Sequence, residues 1–218
     1  MSRKRVPKLK PIEEVKEGTY LWKAKEQDIE QSHMFQFRDW LNETYQLELK
    51  SYDDLWKWSI EYMPDFWESI YRYFPFNQQQ SYEQVMTTRQ MPKTKWFTGA
   101  TINYAQHVLQ QKEDTKIAIY SKSETRTDVL KTWGELKADV VKLATYLKGL
   151  GVEKGDRVAG YLPNIYESVV SLLATASIGA IWTSVSPSYG LKSVVERFTI
   201  TKPKVVIAVG GYTFGGEQ

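Results

Sequence analysis

The stretch that decides the fold spans residues 157–185 and reads RVAGYLPNIYESVVSLLATASIGAIWTSV. Residues 157–162 form a short apolar run that ends at the turn signal Pro163-Asn164, a pattern typical of a strand. Residues 165–178 have the length and apolar content of a buried helix, and 180–185 is a second apolar run. Strand, helix and strand in this order predict a right-handed βαβ unit with parallel strands.

The alternation of strands and helices extends in both directions from this unit. Upstream, strands are predicted over 116–120 and 127–132, and the capping box Thr132-Trp-Gly-Glu135 opens a helix. Downstream, the pattern predicts a helix over 191–200 and a strand over 204–209. From the strand 127–132 onward, we therefore expect one parallel α/β sheet, with the strands of the central βαβ unit buried on both faces. Such a sheet binds ligands beyond the carboxyl ends of its strands.

The first half of the chain is rich in aromatic residues and predicts short helices. A helix is expected over 35–45, a second after the cap Ser51, and a restart at Pro64. Tryptophan and tyrosine on such helices pack large areas against a neighbouring domain. Acidic residues accompany the rings, which disfavours a base-stacking surface for nucleic acid. Residues 74–95 are predicted to be a polar connector. Six of the eight tryptophans precede residue 100: Trp22, Trp40, Trp56, Trp58, Trp67 and Trp96.

Composition and charge exclude several classes of protein. The net charge of +3 arises from a basic start, since the first ten residues hold five positive charges and the rest holds 24 basic and 26 acidic residues. Residues 1–19 are predicted to be a disordered basic tail. The absence of cysteine excludes a disulfide scaffold, and two histidines are too few for a histidine-rich metal site. The sequence has no apolar run long enough to span a membrane and no secretory signal, so we expect a cytosolic location.

Common catalytic and phosphate-binding motifs are missing from the sequence. It contains neither G-x-x-x-x-G-K-[ST] nor G-x-S-x-G. The glycines of 149–155 follow a helix and precede a strand, which is the reverse of a dinucleotide loop. The glycine-rich run 210–216 follows a strand but has no lysine, and we interpret it as a loop. Because the sheet ends nine residues before the last residue, an incomplete domain is expected.

Four segments together resemble the acyl-adenylate-forming (ANL) superfamily, and within it the acetoacetyl-CoA synthetases. The resemblance covers about residues 20–218. Acetyl-CoA synthetases have a different, glycine-rich loop at the fourth segment, and the form present here indicates the acetoacetate branch. The segments are Ser51-Tyr-Asp-Asp-Leu-Trp-Lys-Trp-Ser59 with Asp65-Phe-Trp67; Trp96-Phe-Thr-Gly99 with Asn103-Tyr-Ala105; Gly151–Asn164; and Ala176–Gly190.

The resemblance implies an AMP-binding α/β fold that begins at residue 111, after an N-terminal helical segment over 20–110. It also implies an ATP-dependent ligase that converts acetoacetate, ATP and coenzyme A into acetoacetyl-CoA, AMP and pyrophosphate through an acyl-adenylate. Mg²⁺ would neutralise phosphate charge during adenylation. The family's phosphate loop, acyl pocket and catalytic lysine are not found in these 218 residues, so we expect no catalytic residue, no metal ligand and no ligase activity from this chain alone.

The same resemblance singles out one functional surface. In acetyl-CoA synthetases, the loop after the strand corresponding to 180–185 and the turn after 204–209 approach coenzyme A. This implies coenzyme A contacts from Ser188, Tyr189 and Gly190, and from Gly215. The alternative is an ordinary turn whose geometry is set by Pro187 and by the glycine at 190.

Two functional hypotheses of different classes remain open at this stage. The chain is either part of such a ligase, or a short binding module that pairs with the parent enzyme or another partner through an exposed sheet edge and apolar helix faces. A complete nucleotide-binding domain is disfavoured by the absence of a phosphate loop. The oligomeric state is left open.

Overall fold

The structure is a computed structural model that describes residues 16–74, 81–110, 112–213 and 215–216. The first fifteen residues of the predicted basic tail lie outside the described residues. The chain divides into two compact units, Met1–Phe74 and Pro75–Gln218, here called unit 1 and unit 2. The predicted division at residues 110 and 111 stays a prediction.

Among the described residues, unit 1 consists of four short helices, two of which begin at a serine whose side chain caps the helix. Ser51 accepts a hydrogen bond from the backbone N–H of Asp54, whose carboxylate accepts from the backbone N–H of Ser51, and this reciprocal pair forms the predicted capping box. Pro64 lies in the first turn of the last helix, where its missing N–H costs no hydrogen bond. The helices are α1 (Glu26–Glu30), α2 (His33–Tyr45), α3 (Tyr52–Glu61) and α4 (Met63–Tyr73).

Aromatic rings form the core of unit 1. Phe37 on α2 is buried, and its ring centroid lies 5.0 Å from that of Tyr73 on α4 in an edge-to-face arrangement. Leu41 and Leu55 are also buried, and the ring of Trp58 lies 6.1 Å from that of Phe66. Part of the aromatic segment thus packs within its own unit, whereas Trp22, Trp56 and Trp67 are exposed. The predicted packing against a neighbouring domain stays a prediction.

Unit 2 begins with two antiparallel hairpins and a short helix. The first hairpin pairs β1 (Gln84–Met86) with β2 (Trp96–Thr98), so the predicted polar connector over 74–95 contains a strand that the sequence pattern did not indicate. The second pairs β3 (Ile117–Ser121) with β4 (Val129–Thr132), and α5 (Tyr104–Leu109) lies between them in sequence. β4 was expected to join the parallel sheet, and this expectation is wrong. The short loop before β4 lets it fold back on β3, which two antiparallel strands can do without a crossover.

A three-stranded parallel sheet follows, with β5 (Arg157–Tyr161) between β6 (Ile181–Val185) and β7 (Val205–Ala208). The helix α6 (Trp133–Gly149) precedes β5, α7 (Tyr166–Ser177) connects β5 to β6, and α8 (Leu191–Thr201) connects β6 to β7. The predicted α/β class with parallel strands is confirmed. β5 is central and buried as expected, whereas β6 is an edge strand within the described residues, and Ile181 on it is half exposed.

The core of unit 2 lies where α6 and α7 pack on β5. Apolar residues at helical spacing on α6 meet those of α7 and the strand, as the sequence pattern predicts. Trp182 on β6 packs over Gly160 on β5, where a side chain would collide with the indole ring. The fully or nearly buried members are Leu136, Val140, Leu147, Val158, Val170, Leu173 and Ala174.

One polar pair links α6 to α7. The Tyr166 hydroxyl donates to Asp139 Oδ2 at 2.9 Å, and this bond, with help from Lys142, lowers the pKa of the Asp139 carboxyl. Burial, followed by the bond to the carboxylate, raises the pKa of the Tyr166 hydroxyl. The hydrogen bond therefore stabilises the fold most while Asp139 is ionised and Tyr166 is protonated.

We expect Tyr166→Phe to lower the free energy of unfolding by about 1 kcal/mol near neutral pH, the worth of one partly buried hydrogen bond. A lowered Asp139 pKa gives stability that is present above about pH 4 and lost as the pH falls further. A raised Tyr166 pKa gives stability that is present below about pH 10 and lost above it. Urea unfolding of wild type and variant from pH 3 to pH 11 would check this. A difference that stays constant across that range would contradict it.

Candidate functional site

A cleft of about 730 Å³ lies at the carboxyl ends of the three parallel strands, where the sheet topology predicts a ligand site. The segments that follow β5, β6 and β7 contribute residues 163–165, 186–188 and 209–213 to its wall. The loop between β3 and β4 contributes residues 122–126. This volume is in the usual range for small-molecule and cofactor sites, roughly 300–1,000 Å³.

The loop after β6 is held in a defined turn at the edge of the cleft. The backbone N–H of Tyr189 donates to Ser186 O at 3.1 Å, and the N–H of Ser188 donates to Ser186 Oγ at 3.3 Å. The two serine hydroxyls are 2.9 Å apart. The Tyr161 hydroxyl at the end of β5 donates to Pro187 O at 3.3 Å and ties the turn to the central strand. Ser188 is among the residues that line the cleft.

Tyr189 and Gly190 are not among the residues that line the cleft. The Tyr189 ring is half exposed, and the guanidinium of Arg197 on α8 lies 5.2 Å from its centroid. The carbonyl of Gly190 accepts hydrogen bonds from Ser193 and Val194 and so begins α8. Its φ of −64° is open to any residue, and no described atom lies within 4 Å of where a Cβ would be. The idea that this glycine is needed for the turn geometry is therefore wrong.

The loop between β3 and β4 brings charge to the cleft, a contribution that sequence reasoning missed. Lys122 Nζ lies 3.1 Å from Asp128 Oδ2, and Arg126 Nη1 lies 3.7 Å from Glu167 Oε1. All four side chains are more than half exposed, so each pair is a weak surface interaction. The sequence shows a polar, charged run between two predicted strands. The location of that run beside the parallel sheet depends on the antiparallel pairing of β4 with β3, which the sequence did not predict.

Gly215 is not among the residues that line the cleft, but a hydrogen bond connects it with Glu124 of the same loop, which does line it. The backbone N–H groups of Gly215 and Gly216 donate to Glu124 Oε1 and Oε2, each at 3.1 Å. Both glycines have positive φ, +62° and +80°, a conformation that non-glycine residues rarely adopt. Successive backbone N–H groups that converge on one carboxylate form an anion-binding concavity. Of the four residues predicted from the resemblance, Ser188 and Gly215 are thus connected with the cleft, through lining and through Glu124 respectively.

The chemistry of the cleft is that of binding. Its wall offers hydroxyl groups, backbone amides, an asparagine amide and two cations, which are the donors that phosphate esters and polar carbonyl groups need. In the described part of the chain, no group of three or more histidine or acidic side chains could hold a metal ion, so a place for the implied Mg²⁺ is not indicated there. No helix among the described residues is long and apolar enough to cross a membrane.

A second, smaller groove of about 290 Å³ lies on unit 1 between α2, α3 and α4. Its wall is mainly aromatic and aliphatic and contains His33 as its single ionisable side chain apart from Tyr52. Without lysine or arginine, this groove is poorly suited to a phosphate-bearing ligand.

Two family models match the chain. The model for AMP-binding enzymes matches residues 105–216, and the model for the acetyl-coenzyme A synthetase N-terminus matches residues 52–108. The first match contains the whole cleft, and the second contains α3, α4 and the first hairpin of unit 2.

Several acyl-CoA synthetases are similar to the chain. Acetoacetyl-CoA synthetase of Xenopus tropicalis is 36% identical over 210 residues, 95% of this chain and 31% of the relative. Malonamoyl-CoA synthetase of Penicillium aethiopicum is 32% identical over 193 residues, 85% of this chain and 27% of the relative. The solved structure of acetoacetyl-CoA synthetase from Streptomyces lividans has a TM-score of 0.84 and 38% identity, covering 89% of this chain and 31% of that one. The chain thus spans about a third of the length of the relatives it matches.

Proposed function

The chain belongs to the AMP-binding enzyme family, and we propose that it supplies the coenzyme A-facing part of an ATP-dependent acetoacetate–CoA ligase. In the reaction, acetoacetate and ATP form acetoacetyl-AMP and pyrophosphate, and coenzyme A then takes the acyl group and releases AMP. ATP and Mg²⁺ are proposed for the first step and coenzyme A for the second. The proposal includes a cytosolic location, acetoacetate as the small-molecule substrate and no nucleic-acid partner.

The observation that carries the proposal is the cleft at the ends of β5, β6 and β7, within the region matched by the AMP-binding model. Coenzyme A combines phosphate groups with a chain of amide and hydroxyl groups. The phosphate groups could bind to Lys122, Arg126 and the backbone amides of 210–213. The amide and hydroxyl groups could form hydrogen bonds with the hydroxyls of Ser186 and Ser188. The residues present therefore fit this cofactor in their chemistry.

We assign unequal roles to the four candidate residues. Ser188 is proposed to donate its hydroxyl directly to coenzyme A, because it lines the cleft on a turn that Tyr161 holds in place. Tyr189 and Gly190 are proposed to hold the loop in place and not to contact coenzyme A. The Tyr189 ring packs against Arg197, and the Gly190 carbonyl accepts the first hydrogen bonds of α8. Gly215 is proposed to contact a phosphate through its backbone N–H.

The acyl group is a separate part of the proposal. Acetoacetyl-CoA and malonamoyl-CoA synthetases are both named among the relatives, and both acyl groups carry a second carbonyl at the β position. Acetoacetate is favoured by the higher identity of the relatives named for it. A competition assay with acetoacetate, malonamate and acetate on the assembled ligase would decide between them.

Coenzyme A binding by this chain tests the proposal directly. We expect titration calorimetry to detect binding by wild type, and Ser188→Ala to weaken it by about two- to tenfold, the effect of one hydrogen bond. Ser193→Ala on α8 is the matched control, since Ser193 does not line the cleft, and it should bind as wild type does. Absence of binding by wild type, or equal binding by the Ser188 variant, would overturn the assignment.

The ligase reaction itself is expected to need more than this chain. We expect the purified 218-residue chain to produce no AMP from acetoacetate, ATP and coenzyme A, because the motifs for ATP and for adenylation are missing from its sequence. Detection of AMP that depends on both acetoacetate and coenzyme A would show that the chain is catalytic by itself.

A binding module remains the second candidate, favoured by the exposed apolar residues of unit 2. Ile181 lies on the edge strand β6 with half of its side chain exposed, and Leu191 and Ile200 on α8 are about four-fifths exposed. An exposed edge strand can pair with another chain. Under this alternative, the chain should be monodisperse, melt cooperatively and bind a partner with no need for coenzyme A.

A further inference from the structure

We propose that Glu124 is a built-in competitor for anionic ligands of the cleft, occupying the backbone amides of Gly215 and Gly216 that a phosphate group would otherwise use. The inference rests on the proposed function in that the ligand is a phosphate ester. The inference adds Glu124, on the loop between β3 and β4, as a residue that lowers the affinity of the cleft for this ligand.

The geometry of the contact carries the inference. Each oxygen of the Glu124 carboxylate accepts one backbone N–H, from Gly215 and from Gly216, both at 3.1 Å. Two adjacent N–H groups that donate to one planar carboxylate could donate to two oxygens of a phosphate in the same manner. The carboxylate thus marks these amides as an anion site and also fills it.

The surroundings agree with an anion site. Lys122 and Arg126 belong to the same loop as Glu124, and all three line the cleft. The two cations pair with Asp128 and Glu167, whereas the Glu124 carboxylate accepts hydrogen bonds from the backbone amides of Gly215 and Gly216. An incoming phosphate would therefore meet two cations that already have carboxylate partners, together with the Glu124 carboxylate, which occupies the two amides.

A ligand phosphate cannot share the two amides with Glu124. Two negative groups within about 4 Å repel each other even in a solvated site. The carboxylate must leave when the phosphate arrives, and the exposed loop between β3 and β4 gives it room to do so. Part of the binding free energy is then used to displace Glu124, so its removal should tighten binding.

The test compares Glu124→Gln with wild type and with Glu196→Gln, which removes the same charge from the exposed face of α8. The probes are inorganic pyrophosphate and coenzyme A, followed by the NMR signals of the Gly215 and Gly216 amides in the whole chain. We expect Glu124→Gln to bind each probe roughly three- to tenfold more tightly at low salt. The gain should shrink as salt is added, and Glu196→Gln should bind as wild type does.

The outcomes separate this inference from the proposed function. If pyrophosphate binds Glu124→Gln more tightly but no form of the chain binds coenzyme A, the competitor role stands and the coenzyme A assignment fails. If coenzyme A binds wild type and Glu124→Gln equally, the competitor role is overturned and the proposed function stands. Failure of both probes to shift the two amide signals in any variant also overturns the competitor role. Glu124→Ala, which removes the hydrogen-bond acceptor as well as the charge, should match or exceed the gain of Glu124→Gln.

Discussion

Gly160→Ala is expected to destabilise unit 2 by about 3 kcal/mol, the upper part of the range for overpacked cores. Gly160 lies in β5, the central strand of the parallel sheet, and the indole of Trp182 on β6 fills the space above it. An alanine Cβ would lie 2.5 Å from Trp182 Cη2, far inside van der Waals contact. Because the indole packs against the core of unit 2, it cannot move aside without opening that core.

A double-mutant cycle with Trp182→Leu identifies the cause of this loss. The leucine variant alone should lose stability through the cavity it leaves. In that background, however, Gly160→Ala should cost less than about 1 kcal/mol, because the colliding ring is gone. Gly149→Ala at the end of α6 is the matched control, since no described atom lies within 4 Å of its Cβ position. Equal costs of Gly160→Ala in both backgrounds, measured by urea unfolding, would contradict the steric explanation.

Arg157→Ala is expected to lower the free energy of unfolding by about 2 kcal/mol. Arg157 begins β5, and its guanidinium donates to Thr201 O at 2.9 Å and to Lys202 O at 3.2 Å at the carboxyl end of α8. These carbonyl groups have no partner within the helix, and the negative end of the helix dipole attracts the cation. Hydrogen bonds to a charged group are each worth roughly 1.5–3 kcal/mol, and partial exposure reduces that value here.

Comparison with Arg157→Lys separates charge from geometry at this position. Lysine keeps the positive charge but cannot bridge two carbonyl groups with a planar fork. We expect Arg157→Lys to recover about half of the loss, and hydrogen exchange to increase mainly in the last turn of α8. If Arg157→Ala is as stable as wild type, hydrogen bonds from water satisfy the carbonyl groups of Thr201 and Lys202 as well as the guanidinium does, and the prediction is wrong.

The sequence was sufficient to predict those structural features that depend on residues close together in the chain. The capping boxes at Ser51 and Thr132 form in the structure because each needs only four consecutive residues. The βαβ unit of 157–185 was likewise recoverable, since helix and strand periods differ and the crossover has one favoured hand. The resemblance drawn from four short motifs is confirmed by the match of the AMP-binding model and by the acetoacetyl-CoA synthetase relatives.

The sequence was insufficient to predict contacts between segments that are far apart in the chain. The sequence predicted β4 as a member of the parallel sheet, yet β4 pairs with β3. Several strands have similar local sequence patterns, and such a pattern does not specify which two strands pair. The exposure of β6 also depends on which strands flank it, and not on its apolar sequence. The bond between Glu124 and the amides of Gly215 and Gly216 spans about ninety residues and leaves no trace in either segment.

The sequence by itself determined the class of fold and the family, and it predicted a ligand site at the end of the sheet where the cleft lies. Each follows from short-range periodicity, from capping chemistry or from motifs that are read residue by residue. Only the tertiary structure decided that the β3–β4 loop closes one side of the cleft, that Ser188 lines it and that Glu124 fills its amide pair. The physical reason is that these contacts are set by the packing of whole elements, whose free energy is spread over many residues far apart in the chain.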